Sequence, residues 1–196
     1  MRQFMVMSLV ALSLLAGACS ADGAPSTDPI ADLPLLATGL GQVAFGEDPD
    51  VVLDVLGALF GGPSTDTDWL ESGDGIYGDC PEPLRVISWG SLTTFHTGGP
   101  QAATFFAYSY GFDFGEALAG VDSRGLNLTT PDGIGIGSTV AELEARRADV
   151  VLDGDASIDV WTFAVEPGQD PHLRGQISGI SPTDTVLFIE TSTGCG

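Results

Sequence analysis

The chain contains no lysine, and its basic residues are six arginines, Arg2, Arg85, Arg124, Arg146, Arg147 and Arg174. Set against 27 acidic residues, they leave a formal charge of −21. A surface so short of cations repels phosphate backbones and anionic lipid headgroups, which excludes nucleic acid as an expected partner. Histidine is nearly absent too. His96 and His172 are the two present, and neither lies in a paired ligand motif, so no metal is expected. A Ser-His-Asp hydrolase would need one of them as general base, but no Gly-x-Ser-x-Gly elbow accompanies either. The glycines of Gly133-x-Gly135-x-Gly137 lack the Gly-x-Gly-x-x-Gly spacing of a dinucleotide loop, and no cofactor is expected. Carboxylates crowd Asp153-Gly-Asp155-Ala-Ser-Ile-Asp159, yet the order of a calcium loop and its distal glutamate are missing, so this reads as an acidic turn.

Long apolar runs are also lacking except at the start. Arg2, the apolar stretch from Phe4 to Leu15 and the small residues Ala16-Gly17-Ala18 have the layout of an export signal over residues 1–18. The run is shorter than the roughly 20 residues that span a bilayer, so it directs translocation and is removed. Removal takes Arg2 with it and makes the mature chain one unit more negative. Leu14-Leu15-Ala16-Gly17-Ala18-Cys19 resembles a bacterial lipobox, although Ala16 stands where leucine is usual. Ala16-Gly17-Ala18 also satisfies ordinary signal peptidase, which would cut the same bond. The resemblance implies that Cys19 carries a diacylglycerol and becomes the mature N-terminus. Secretion without an anchor is the alternative.

Cysteine is scarce, with three in all. Once Cys19 is acylated, Cys80 and Cys195 remain as an even pair, and in an exported chain they are expected to form a disulfide. Such a bond would close a loop of more than a hundred residues and fasten the C-terminus to the domain. Residues 19–34 carry the lipidated cysteine and then Ala, Asp, Pro, Ser and Thr with little apolar content, the composition of a disordered tether. Residues 35–196 are one domain's length.

Within that domain two helices stand out. Asp48 is placed as N-cap with Pro49 at the first helical position, and Val52, Val55, Leu56 and Leu59 recur at helical spacing until Gly61-Gly62-Pro63. The second helix opens with the capping box Thr139-x-x-Glu142, buries Val140 and Leu143, and pairs Glu142 with Arg146 one turn later. Each follows a glycine-flanked strand, Gly41–Gly46 or Gly133–Gly137, and each precedes further strands. The first set is Leu84–Trp89, Leu92–Phe95 and Thr104–Tyr110; the second is Val160–Val165, Ile177–Ile180 and Val186–Ile189. The expected fold is therefore α+β: two tandem helix-on-antiparallel-sheet half-repeats, about 35–125 and 126–196, forming one domain.

Gly137-Ser-Thr-Val-Ala-Glu142-Leu143, with its degenerate counterpart from Gly46, resembles the half-repeat of the beta-lactamase inhibitory protein and of small BamE-like lipoproteins. The layout of paired cysteines, Trp89 after Leu84-Arg85, and the Gly133–Leu143 segment also resembles uncharacterised exported actinobacterial proteins. The first resemblance implies action by binding other proteins, without catalytic machinery. A candidate surface for this is the alternating row Phe106, Tyr108, Tyr110, Phe112 and Phe114, whose rings share one face if the segment is a single strand. That face is either the sheet's side of the core or an exposed platform, on which Tyr108 and Tyr110 would face a partner. The functional expectation is a lipid-anchored extracytoplasmic binding protein that recognises another envelope or secreted protein and touches the bilayer only through its anchor. A cell-envelope hydrolase and a structural surface lipoprotein are the alternatives.

Overall fold

The computed structural model describes residues 33–71, 77, 80, 83–114 and 118–191. The export signal, Cys19 and the tether as far as residue 32 lie outside the described residues, as does Cys195. The folded domain begins slightly earlier than its composition implied. Leu33 is already buried in the core, and Pro34 accepts a backbone hydrogen bond from Gly41.

A small antiparallel meander comes first: β1 (Leu35–Leu36), β2 (Gly39–Leu40) and β3 (Val43–Ala44). Helix α1 (Pro49–Phe60) starts where its cap dictates, with Asp48 accepting from the Asp50 amide at 2.9 Å. Val52 and Leu56 are its buried stripe, and Val55 and Leu59 are half-buried beside them. Its C-terminal carbonyls are taken by side chains from elsewhere. Trp89 donates to Gly61 O at 3.0 Å, and Arg124 donates to Phe60 O and Gly62 O, placing a cation at the negative end of the helix.

Four strands follow, β4 (Thr65–Asp66), β5 (Leu84–Trp89), β6 (Leu92–Thr97) and β7 (Thr104–Tyr110), and then the short ribbon β8 (Phe112–Asp113) and β9 (Leu118–Ala119). Helix α2 (Val140–Arg146) opens with the full capping box, Thr139 and Glu142 each accepting from the other's amide. Arg146 does not settle on Glu142 as expected. Its guanidinium instead donates to the carbonyls of Asp132 and Gly133, while the next residue, Arg147, grips the Asp132 carboxylate through two bonds of 2.7 and 2.8 Å. The chain ends in a meander of β10 (Val150–Asp155), β11 (Val160–Val165), β12 (Leu173–Ile177) and β13 (Val186–Thr191).

The expected α+β half-repeat architecture is not the one that forms. Among the described residues thirteen strands accompany two helices, and the domain is mainly β, with a three-stranded and an eight-stranded antiparallel sheet. The large sheet is continuous in the order β10-β11-β12-β13-β7-β6-β5-β4, because β13 pairs with β7 through Ile189 opposite Tyr110 and Glu190 opposite Ser109. A single hydrophobic core crosses that seam. Val52 and Leu56 of α1 belong to the same cluster as Val140 and Leu143 of α2 and as Phe163, Val186 and Ile189. Helix caps are local and therefore conspicuous in sequence, whereas strands of two residues, and β10 with its aspartates and glycine, have little local signature. Gly133–Gly137 forms turns with one isolated bridge, Thr129 to Gly135, rather than a strand. The expected strand at 177–180 lies instead at 173–177, and Ile180 is exposed.

Candidate binding face

The aromatic row that reads as one face is divided between two. At β6–β7, His96 lies opposite Phe105 while Phe95 lies opposite Ala107, so Phe106 is an extra residue and both Phe106 and Ala107 turn to the same side. Tyr108 and Tyr110 consequently face the helices and are wholly buried. Their hydroxyls are used internally, Tyr108 donating to Leu36 O at 2.9 Å and Tyr110 to Asp122 Oδ2 at 2.8 Å. Burial pushes both phenols above their ordinary range. The two tyrosines are thus interior residues and cannot meet a partner. A second break follows at Gly111, whose φ is +100°; a Cβ there would lie 2.3 Å from Ile136 Cδ1 and 2.6 Å from Leu187 O. Beyond it Phe112 and Phe114 return to the opposite side of the sheet, where Phe112 packs edge-on against Phe114 and Phe188.

That opposite side, away from the helices, is treated differently along its length. Over β5–β7 the covering residues are Tyr77, Cys80, Phe106 and Phe114, packed on Leu84, Val86, Phe95 and Ala107. Beneath them the sheet carries hydroxyls, with Ser88 Oγ 2.9 Å from Thr93 Oγ1 and Ser109 next in register, all buried. Over β10–β13 no described segment covers the sheet. An open cleft of about 430 Å³ lies there.

Strand register sets what the cleft contains, because residues facing one another across antiparallel strands share a face. One row is Asp153–Thr162–Gln176–Phe188, and the adjoining one is Val151–Ala164–Arg174–Glu190. All eight line the cleft, with Pro167 at its rim. The first row sets a carboxylate, a hydroxyl, an amide and an aromatic ring in line. At the β12–β13 end of the second, Arg174 Nε donates to Glu190 Oε1 at 2.9 Å. Burial raises the Glu190 carboxyl above its usual value, and the Arg174 charge and hydrogen bond oppose that shift. Between them Gly175 turns toward the helix-side core, where a Cβ would meet Phe188 O and the buried Phe163 ring. The side chains are held by the sheet but half-wet, an arrangement suited to hydrogen-bonding a ligand.

The other sequence-stated candidates lie elsewhere. His96 is fully buried against Phe105, with Nε2 2.9 Å from Thr94 Oγ1 and Nδ1 without a hydrogen-bond partner among the described residues. Burial, and then the charge of Arg85, lower its pKa to about 4. His172 is half-buried in the β11–β12 loop, with Nδ1 2.9 Å from Gln169 O. The structure does not bring the two together. Asp153, Asp155 and Asp159 flank the β10–β11 hairpin, where Asp155 accepts from the Ser157 amide and Asp153 from that of Gly154. Cys80 Sγ lies 2.9 Å from Tyr77 O, and its expected partner Cys195 falls outside the described residues.

Comparison with protein-family models, curated proteins and solved structures finds no match to this chain. The residues that sequence reasoning named as a surface, Phe106, Tyr108, Tyr110 and Phe112, do not line this cleft, and it did not single out Arg174, Gln176, Phe188 or Glu190 as site residues. Their signal is the alternation Leu173-Arg-Gly-Gln-Ile177 beside Leu187-Phe-Ile-Glu190, which becomes a site only when the register is known.

Proposed function

We propose that this chain is an extracytoplasmic binding protein, held to the membrane through a lipid on Cys19, that takes its ligand on the open face of β10–β13. The observation that carries the reading is the cleft itself. Four adjacent strands present polar side chains and Phe188 in register, on a part of the sheet that no described segment covers. Cleft volumes of this order suit a ligand or a small anchor from a larger partner. Binding rather than catalysis is favoured by the interior position of His96 and by the ion-paired state of Arg174, which leaves neither poised to move a proton. The resemblance of Gly137–Leu143 to families that act by binding points the same way.

Ala164 lies between Val151 and Arg174 on the cleft floor, so Ala164→Trp fills the cleft without touching the helix-side core. Wild type and this variant, immobilised side by side, are exposed to the protein and polysaccharide fractions of the envelope. Loss of a retained component in the variant supports the reading, and identical recovery of every component overturns it.

A further inference from the structure

The chemistry of the cleft narrows its ligand further, on the footing that the open face of β10–β13 is the binding surface. An anion meets two carboxylates, Asp153 and Glu190, within a strongly acidic chain, and the guanidinium that would attract it is already engaged by Glu190. A cation meets that same guanidinium on the floor. An apolar ligand would strip water from Thr162, Gln176 and Arg174 without replacing their hydrogen bonds. What remains is a neutral molecule rich in groups that both donate and accept.

Hydroxyls do both. Gln176 offers an amide donor and acceptor, Thr162 a hydroxyl, Asp153 acceptors, and the Arg174–Glu190 pair a donor beside an acceptor at fixed spacing, which matches neighbouring hydroxyls on one ring. Phe188 follows Gln176 in the same row and is itself held edge-on by Phe112. A ring at the end of a hydrogen-bonding row gives the C–H face of a pyranose an electron-rich surface to lie against. At the β10 end of the rows Val151 and Asp153 are exposed, so a chain of sugars can leave the cleft on that side. We infer that the ligand is a segment of neutral polysaccharide, bound with its hydroxyls on Thr162, Gln176 and the Arg174–Glu190 pair and one sugar ring on Phe188.

The test uses the full processed chain, isotopically labelled, titrated with three neutral tetrasaccharides: cellotetraose, maltotetraose and N-acetylchitotetraose. Hexalysine serves as a cationic peptide probe. The expected result is that at least one tetrasaccharide at millimolar concentration shifts the amide signals of Thr162, Gln176 and Phe188. Gln176→Ala and Phe188→Ala should each weaken that binding at least tenfold while the melting temperature stays near wild type. If an alanine variant melts early, Gln176→Glu, which keeps the side-chain volume, and Phe188→Leu, which keeps most of it and removes the ring, are read the same way. Silence from all three sugars, or binding that neither variant weakens, overturns the inference. Hexalysine binding that Ala164→Trp abolishes, with the sugars silent, overturns the polysaccharide and leaves the binding face standing. Envelope recovery unchanged by Ala164→Trp overturns both.

Discussion

Arg174 and Glu190 face each other across β12 and β13, Nε 2.9 Å from Oε1, and together they occupy the end of the open stretch of sheet nearest the seam with β7. The carboxylate is the more enclosed partner, with 23% of its side chain exposed against 34% for the arginine. Removing the arginine therefore strands a charge that has little access to water. Arg174→Met is expected to raise the Glu190 pKa further and to destabilise the fold by about 1–2 kcal/mol at neutral pH. The sign with pH is definite: a carboxyl whose folded value is raised favours the protonated form. The penalty should therefore shrink as pH falls below the Glu190 folded value. Denaturant melts of the variant at pH 7 and pH 4, with the Glu190 side chain followed by NMR, check this. An equal penalty at both pH values would show that the carboxylate is adequately solvated alone.

His96 supplies a second pH dependence. Its folded value of about 4 lies below the usual 6.5, so between those limits the unfolded chain takes up a proton that the folded one refuses. Stability is complete above pH 6.5 and declines as pH falls toward 4, by a total of about 3 kcal/mol. His96→Leu should flatten this portion of the stability profile, measured by urea titration at several pH values. A profile unchanged by the substitution would place the acid sensitivity elsewhere.

Gly111 is expected to tolerate no side chain. With φ at +100° and Ile136 and Leu187 both within contact of a Cβ, Gly111→Ala should cost on the order of 2–3 kcal/mol and lower the melting temperature by several degrees. Gly57, in the middle of α1, is the comparison site. Among the described residues outside the helix's own backbone, nothing would lie within 4 Å of a Cβ there, so Gly57→Ala should be neutral or mildly stabilising by differential scanning calorimetry.

Thr139→Ala removes the hydroxyl that accepts from the Glu142 amide at 3.2 Å. A loss of about 1 kcal/mol is expected, read from chemical denaturation. Thr139→Ser should recover most of it, since serine keeps the capping oxygen; failure to recover would assign the loss to the missing methyl group.

The covalent proposals have their own test. Intact mass of the mature protein should show an N-terminal Cys19 bearing a diacylglycerol, and digestion without reductant should yield one peptide joining Cys80 to Cys195. Cys80→Ser is then expected to cost about 5 kcal/mol, the chain-entropy value for so long a loop. A mature chain without lipid on Cys19 would make the number of remaining thiols odd and reopen their pairing.

Local chemistry was legible from sequence wherever a few neighbouring residues decide the outcome. Asp48-Pro49 starts α1, the Thr139–Glu142 box starts α2, and the strands Leu84–Trp89, Thr104–Tyr110 and Val160–Val165 occupy the residues their composition marks. The absence of lysine and the acidic balance were likewise complete in the sequence, because charge is a sum over residues and needs no geometry. Facing was not legible. A single extra residue at Phe106 and a left-handed glycine at position 111 send alternating rings to opposite sides, and neither break leaves a mark that alternation alone reveals. The cleft lies furthest from local reading: Asp153, Thr162, Gln176 and Phe188 come from four strands and meet because register, fixed by packing against a shared core, sets them in line. The sequence by itself determined where helices begin and what charge the protein carries. Tertiary structure alone decided which side chains are interior and which face the open sheet, because that choice depends on pairing between residues distant in the chain.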